Sequence, residues 1–120
     1  MPKKILVVED DQLLGIMLAE EASRMGYEVT AVVTTGQAAI RAAQCNPPDA
    51  VLMDISLAGV LDGIETARII KDRRNIPILF FTGHYDQQLL DRASDVSPAG
   101  IINKLDPPEI IRAALSSLFR

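Results

Sequence analysis

The sequence contains little cysteine, few aromatic residues and no long apolar segment. Its 120 residues include one cysteine, Cys45, and no tryptophan, and aromatic residues make up 4% of the chain. A lone cysteine cannot form an internal disulfide, so a small disulfide-stabilised fold is excluded and a reduced thiol without a special role is expected. No segment approaches the roughly 20 apolar residues of a membrane span, and the first apolar stretch, residues 5–8, is too short for a signal peptide. We therefore expect a soluble, cytoplasmic protein without a membrane partner.

A basic surface is also absent from the sequence. The chain has 12 Lys and Arg against 16 Asp and Glu, which gives a net charge of -4. Sequence-independent binding to nucleic acid needs clustered basic side chains, so we expect no direct nucleic-acid binding. The length suits one domain over residues 1–120, and 48% hydrophobic residues with 23% charged residues is an ordinary globular composition.

The spacing of the apolar residues alternates between strand and helix about five times. Short apolar runs, mostly β-branched, predict strands covered on both faces at residues 5–8, 29–33, 50–53, 78–82 and 100–102. Helices are predicted at residues 12–25, from a Thr35 cap to Gln44, from an Asp62 cap, at residues 86–94, and from about Pro107 onwards. This alternation predicts an α/β fold with a parallel sheet.

Two of these helices carry apolar stripes that we expect to face the core, and Gly26 is expected to end the first helix. The predicted inward residues of the first helix are Leu13, Leu14, Met17, Leu18, Ala22 and Met25. Those of the last helix are Ile110, Ile111, Ala114, Leu115 and Leu118.

Polar side chains follow four of the predicted strands. They are Glu9 and Asp10 after the first strand, Asp54 after the third, Thr82 at the end of the fourth and Lys104 after the fifth. Because the carboxyl ends of parallel strands meet at one edge of a sheet, we expect these side chains to lie together. Two unit charges about 4 Å apart repel by about 4 kcal/mol at an effective dielectric near 20, so three converging carboxylates need compensation.

A magnesium ion and a phosphoryl group would meet that need. Mg²⁺ prefers oxygen ligands and keeps waters that phosphate oxygens can replace. Lys104 adds a positive charge that can pair with a carboxylate or with a phosphoryl oxygen. The Thr82 hydroxyl can donate to such an oxygen, and Gly83 lets the backbone approach a ligand closely.

At these residues the chain resembles the receiver domain of response regulators in bacterial two-component systems and is similar to the chemotaxis regulators. The matching motifs cover the whole chain and are residues 5–11, 51–55, 62–63 and 77–83 together with Lys104. The resemblance implies a flavodoxin-like, doubly wound (βα)5 fold, a three-layer sandwich whose five-stranded sheet has the order 2-1-3-4-5.

The resemblance also implies a role for each site residue. Asp54 would accept a phosphoryl group from phosphohistidine on a sensor histidine kinase or a histidine phosphotransfer protein. Mg²⁺ would be held by Glu9, Asp10, Asp54 and the backbone carbonyl of Ser56. Lys104, Thr82 and Gly83 would bind the phosphoryl group. The chain would be a signalling module and not an enzyme, although it would assist its own phosphorylation and dephosphorylation. Its output would pass to an unknown protein partner through the face of helix 4, strand 5 and helix 5, from a monomer or weak dimer.

The chain departs from the family pattern at several positions. Ile101 stands where an aromatic switch residue is usual, and Leu105 follows Lys104 where proline is usual. A cis bond before a residue other than proline costs about 2.5 to 4 kcal/mol, so we predict a trans Lys104–Leu105 bond. The loop after Asp54 is one residue longer than usual and lacks proline, which predicts mobility. His84 and Ser56 occupy positions that could tune dephosphorylation.

The sequence leaves other functions open. A degenerate receiver would bind partners without being phosphorylated. An aspartate-nucleophile phosphatase would need a general acid two residues after Asp54, where this chain has Ser56. A flavin or nucleotide binder would need a glycine-rich loop after the first strand, where Glu9 and Asp10 stand instead. A stand-alone receiver and a part of a longer regulator or hybrid kinase are both compatible with the sequence.

Overall fold

A computed structural model describes residues 2–83 and 86–119 and shows strands and helices in strict alternation. The elements are β1 (Lys4–Val8), α1 (Gln12–Arg24), β2 (Glu28–Val33), α2 (Gly36–Cys45), β3 (Ala50–Asp54), α3 (Gly63–Arg73), β4 (Ile78–Thr82), α4 (Gln87–Ser94), β5 (Gly100–Asn103) and α5 (Pro108–Leu118). The predicted α/β alternation is confirmed. None of the described helices is long and apolar enough to cross a membrane.

The five strands form one parallel sheet in the order β2-β1-β3-β4-β5, as predicted. Alternate residues of each strand point to opposite faces, so the sheet supplies two separate apolar cores. On one face Leu6 and Val8 pack with residues of α2, α3 and α4. On the other face Ile5 and Val7 pack with residues of α1 and α5. The domain is therefore the expected three-layer sandwich.

The central strands match the prediction of burial on both faces, and the two edge strands do not. Every residue of β3 and of β4 is buried. None of the residues of β2 is fully buried, and in β5 only Ile102 is, so that part of the prediction is wrong. The reason is position, because β2 and β5 lie at the sheet edges and each pairs with one strand, β1 and β4 respectively.

Side-chain caps fix the helix starts at the carboxyl edge of the sheet. The Asp11 carboxylate accepts from the Leu14 amide at 3.1 Å and caps α1. Thr35 and Asp62 cap α2 and α3 as predicted. Gly26 has a φ of +93°, which suits the predicted end of the first helix.

The predicted inward stripe of α1 is partly wrong. Leu13 and Met17 are 69% and 56% exposed, whereas Gly15, Leu18 and Ala22 are buried. α1 lies close to β2 at Gly15, where a Cβ atom would be 3.0 Å from Cγ1 of Val32. With 3.6 residues per turn, Leu13 then lies about 140° around the helix from Leu18 and faces outwards.

Ile110 of α5 is a second exception to the predicted burial. It is 44% exposed, although Leu115 of the same helix is completely buried. Ile110 precedes Leu115 by five residues, which places it about 140° around the helix from the buried side. The other predicted residues of this stripe, Ile111, Ala114 and Leu118, do pack against the core.

Ser97, just beyond α4, has a left-handed backbone with a φ of +50°. This conformation costs a residue with a side chain roughly 1–2 kcal/mol, and a glycine would avoid that cost. Glycine also makes the unfolded chain more flexible, which offsets part of the stabilisation. We therefore expect Ser97→Gly to raise the free energy of unfolding by about 0.5 kcal/mol in urea titrations. Ser97→Ala removes the hydroxyl without relieving the backbone and should give no gain. An equal gain from both variants would contradict this explanation.

Candidate phosphoryl and metal site

The predicted site residues lie together at the carboxyl edge of the sheet. Backbone hydrogen bonds continue past the strand ends and fix this edge. The amide of Ile55 donates to the carbonyl of Phe81 at 2.9 Å, and the amide of Lys104 donates to the carbonyl of Thr82 at 2.9 Å. The amide of Glu9 is held in the same way by a carbonyl of β2, at 3.0 Å. These backbone hydrogen bonds between the strand ends therefore fix the Cα positions from which the polar side chains project.

Three carboxylates converge at this edge. Glu9, Asp10 and Asp54 each offer an oxygen, and these three atoms lie within 4.8 Å of one another. Glu9 and Asp54 are almost completely buried, at 1% and 2% exposure, whereas Asp10 is exposed. The cluster therefore has a buried floor and one carboxylate that faces solvent.

The Lys104 ammonium lies between the two buried carboxylates. It donates a hydrogen bond to Oδ2 of Asp54 at 3.2 Å. It also lies 2.9 Å from Oε1 of Glu9, close enough for an ion pair but without hydrogen-bond geometry. Among the described residues, this buried Glu9 oxygen therefore has no hydrogen-bond partner. One ammonium faces three carboxylates.

Burial and this excess of negative charge shift the pKa values of the cluster. Burial, and next the contact with Asp54, raise the pKa of Glu9 to about 7, although Lys104 acts in the opposite direction. Burial would raise the pKa of Asp10, but its contacts with Glu9 and Asp54 outweigh that effect and lower it. Burial would lower the pKa of Lys104, but Glu9 and Asp54 raise it. Lys104 therefore stays charged, and Glu9 is the group that holds a proton most readily.

The loop between β3 and α3 supplies backbone donors to the cluster. The amide of Ser56 donates to Oδ1 of Asp54 at 2.9 Å. The amide of Ala58 lies 3.4 Å from Oδ2 of Asp10, a long hydrogen bond. Both ends of the Asp54 carboxylate are thus held, one by a loop amide and the other by the Lys104 ammonium.

The remaining predicted residues that the structure describes lie on or directly after the neighbouring strands β4 and β5. Thr82 is completely buried at the end of β4, and Gly83 is exposed directly after it. Ile101 pairs with Phe80 in the sheet and packs, half-buried, against the core on the α2, α3 and α4 side. His84, the other predicted tuning residue beside Ser56, lies outside the described residues.

The segment after β5 agrees with the prediction made from Leu105. The Lys104–Leu105 peptide bond is trans, since the described residues contain no cis bond. The amide of Leu105 donates to the side-chain oxygen of Asn103 at 2.8 Å, and the amide of Asn103 is bound by Asp106 at 3.2 Å. This compact turn places the Leu105 side chain in solvent.

The family model of the response regulator receiver domain matches residues 5–116 of this chain. The chain belongs to this family. It is thus a receiver domain of the kind found in bacterial two-component response regulators.

Two curated relatives show how far the likeness extends. The receiver domain is 33% identical over 104 residues to the transcriptional regulatory protein PdtaR of Mycobacterium tuberculosis (strain ATCC 25618 / H37Rv), covering 87% of this chain and 50% of that protein. It is 37% identical over 100 residues to the uncharacterized transcriptional regulatory protein YrkP of Bacillus subtilis (strain 168), covering 83% of this chain and 41% of that protein. The chain therefore spans half or less of these relatives.

Solved structures agree with the fold of the receiver domain. The signal receiver domain of a modulated diguanylate cyclase from Desulfovibrio desulfuricans G20 matches with a TM-score of 0.92 and 33% identity, over 98% of this chain and 94% of that chain. The chemotaxis protein CheY4 of Vibrio cholerae matches with a TM-score of 0.90, over 99% of this chain and 100% of that chain. At 23% identity, the second likeness concerns the fold alone.

The residues of this receiver domain fit a magnesium ion. The donor set consists of carboxylate oxygens, which hard divalent cations prefer. The buried Oε1 of Glu9 is ion-paired with Lys104 but accepts no hydrogen bond from the described residues, so it can still bind a cation at the floor of the cluster. A divalent charge would also balance the carboxylates that Lys104 alone leaves in excess.

Sequence reasoning missed three contributors to the site of this receiver domain. The Ser56 amide donates to Asp54 and the Ala58 amide contacts Asp10, and no sequence signal could reveal this because every residue but proline carries such a group. Gly63 lies directly against the backbone of Asp54. The only signal in the sequence was a glycine directly after the Asp62 helix cap. Residues 62–63 were noted there as a motif, and no role was assigned to the glycine.

Proposed function

We propose that residues 1–120 form a receiver domain that works as a phosphorylation-controlled signalling module, with Asp54 as phosphoacceptor. The observation that carries the proposal is the position of the Asp54 carboxylate. It is buried beside two other carboxylates, and it is held between the Ser56 amide at 2.9 Å and the Lys104 ammonium at 3.2 Å. A fixed carboxylate next to a cation is arranged for attack on a phosphoryl group.

The reaction needs a nucleophile and positive charge close to it. An oxygen of Asp54 attacks the phosphorus of a phosphohistidine, the phosphorus–nitrogen bond breaks, and an acyl phosphate forms on Asp54. Lys104 can then pair with an oxygen of the transferred group in place of the two carboxylates. Thr82 and Gly83, at the end of the neighbouring strand, would bind another oxygen of that group. The domain itself is modified, so it is not a classical enzyme.

Glu9, Asp10, Asp54 and the backbone carbonyl of Ser56 would hold Mg²⁺. When bound, the metal supplies charge neutralisation to the transferring phosphoryl group. The residues themselves divide the remaining work. Glu9 and Asp54 form the buried floor, and Asp10 is open to solvent above them.

The donor would be a protein in the cytoplasm, a sensor histidine kinase or a histidine phosphotransfer protein. Because Asp54 is buried, the donor has to lie directly against the mouth of the site. Exposed aliphatic side chains stand in three segments that flank the site: Leu13 after Asp11, Val60 in the β3–α3 loop, and Leu105 after Lys104. Exposed apolar groups of this kind favour contact with a protein.

The output would pass through the face formed by α4, β5 and α5 to a downstream protein. Ile101 of β5 is half-buried between this face and the core, so a change of its packing would alter the surface. An isoleucine has no ring to move between exposed and buried positions, so the change here would be a shift in aliphatic packing. A monomer or weak dimer suits this mode of action.

The test uses acetyl phosphate as a small-molecule donor. After incubation with Mg²⁺, intact mass spectrometry is expected to show a gain of one phosphoryl group, and peptide mapping should place it on Asp54. The same incubation with EDTA is expected to give little or no gain, because the carboxylates then lack a divalent partner. No gain with Mg²⁺ would instead favour a degenerate receiver that binds partners without phosphorylation.

A further inference from the structure

The start of α3 lies in direct contact with the backbone of the phosphoacceptor. A Cβ atom on Gly63 would be 2.0 Å from the carbonyl oxygen of Asp54 and 2.8 Å from the Cα of Ile55. Real Cβ atoms essentially never come closer than 3.0 Å to another heavy atom. Both contacts are with backbone, so no side-chain rotation can relieve them. Any other residue here has to move α3 away or tilt the Asp54–Ile55 peptide.

The backbone conformation of Gly63 does not itself require glycine. The glycines with positive φ among the described residues are Gly26 and Gly59, and Gly63 is the first residue of a regular helix. The requirement is therefore the close approach of two backbones.

Gly63 also closes the loop that contacts the site carboxylates. Its amide donates to the carbonyl of Ile55 at 3.0 Å, which joins the two ends of residues 55–63. Within this loop lie the Ser56 amide, bound to Asp54 at 2.9 Å, and the Ala58 amide, 3.4 Å from Asp10. A shift at the base of the loop would move both donors.

From these contacts we infer that Gly63 is a positioning residue for Asp54, acting through the Asp54–Ile55 peptide and the loop amides. Its missing side chain lets α3 rest on the end of β3, and this contact fixes the direction of the Asp54 carboxylate. The inference rests on the proposed function for its effect on phosphorylation. Its structural part, the placement of the Ser56 and Ala58 amides, can be tested separately.

The experiment compares Gly63→Ala with Gly36→Ala in the whole chain. A Cβ on Gly36 would be 2.2 Å from Oγ1 of Thr66 in α3, and 2.9 Å from Cβ and 3.3 Å from the carbonyl oxygen of Leu61 in the loop, so this control also adds an overlap beside the start of α3. None of these contacts is with Asp54 or Ile55. Both variants should unfold at a lower temperature than the wild type, and their unfolding temperatures are measured first.

The expected difference lies in chemistry and in the amide spectrum. Below the unfolding range of both variants, Gly63→Ala should be phosphorylated by acetyl phosphate with Mg²⁺ roughly 10- to 100-fold more slowly than Gly36→Ala, because a misplacement near 1 Å can cost about 100-fold. The amide ¹H–¹⁵N signals of Ser56 and Ala58 should move further from their wild-type positions in Gly63→Ala than in Gly36→Ala. Equal phosphorylation rates, with Ser56 and Ala58 signals that move no further in Gly63→Ala than in Gly36→Ala, would overturn the inference.

Two further outcomes are covered by the same design. If the wild type is not phosphorylated, the proposed function fails, and the Ser56 and Ala58 signals alone decide on Gly63. If Gly63→Ala does not fold, Asp62→Ala takes its place, because loss of the cap loosens the start of α3 without adding an atom against Asp54. A several-fold slower phosphorylation with a shifted Ser56 signal is then expected, and wild-type behaviour would overturn the inference.

Discussion

Asp54→Asn is expected to abolish the gain of a phosphoryl group from acetyl phosphate. An amide has almost the same shape as the carboxylate, so it can keep the hydrogen bond from the Ser56 amide and leave the fold intact. It is not a nucleophile toward phosphorus at neutral pH, so no acyl phosphate can form. The measurement is intact mass after incubation with Mg²⁺, with wild type in parallel.

The same substitution should stabilise the metal-free protein. It removes one of three converging carboxylates, and the contact with Asp54 is one of the causes that raise the pKa of Glu9. Lys104 keeps its ion pair with Glu9 at 2.9 Å, so the ammonium is not left alone. We therefore expect a higher unfolding temperature in EDTA and a smaller shift on adding Mg²⁺.

Asp49→Asn is the matched control for Asp54→Asn. Asp49 is exposed just before β3, at the opposite edge of the sheet, where it accepts from the Lys4 amide at 2.7 Å. The change in charge and shape is the same, and phosphorylation should remain at the wild-type rate. A phosphoryl group on the Asp54→Asn protein would show that another residue is the acceptor and would contradict the assignment.

Much of the site could be predicted from the sequence because residues that follow parallel strands lie together at the carboxyl edge of the sheet. Glu9, Asp54, Thr82 and Lys104 each follow a strongly apolar run, and such runs are the most readable signal in a chain of this class. Once those runs are strands of one sheet, their carboxyl ends can only meet at one edge. The buried side chains of Glu9 and Asp54 are the consequence.

The orientation of α1 could not be read in the same way. Its sequence has apolar residues around most of its circumference, so Leu13 and Met17 fit an inward stripe as well as Leu18 does. Gly15 decides which face of α1 is buried, because its missing side chain lets α1 approach β2. The face that carries Gly15 and Leu18 is therefore buried, and Leu13 and Met17 are exposed. Periodicity counts apolar residues and gives no weight to a glycine, so the contact was invisible before the structure.

Contacts made by the backbone were the other part that sequence could not supply. The Ser56 and Ala58 amides hold Asp54 and Asp10, yet the same group occurs at almost every residue. Gly63 was visible only as a member of a motif. Its role depends on how closely α3 approaches the end of β3, so that a Cβ on Gly63 would lie 2.0 Å from the Asp54 carbonyl oxygen, and this approach follows from packing.

Lys104→Met is expected to slow phosphorylation by acetyl phosphate by roughly 100-fold or more, the usual cost of losing one charge-stabilising donor. Methionine matches the length of the side chain but carries no charge. The two buried carboxylates then face each other without their ammonium. The rate is measured by intact mass at saturating Mg²⁺, and a rate close to wild type would contradict a role for Lys104 in phosphoryl transfer.

The same variant should change how stability depends on pH in the absence of Mg²⁺. The pKa of Glu9 in the folded protein is about 7, above its ordinary value of 4.5, so the folded state binds more protons and stability falls as pH rises between these values. Lys104 acts to lower the pKa of Glu9, so without it the fall should extend to pH values above 7. The free energies of unfolding of the wild type and of Lys104→Met, measured by urea titration in EDTA between pH 5 and pH 9, should therefore diverge as the pH rises. The expected difference is about 1 to 3 kcal/mol, which is less than for a fully buried ion pair because Lys104 is partly exposed. Lys71→Met, which removes an ammonium that donates to the Ser97 carbonyl away from the carboxylates, should leave both the pH dependence and the phosphorylation rate unchanged.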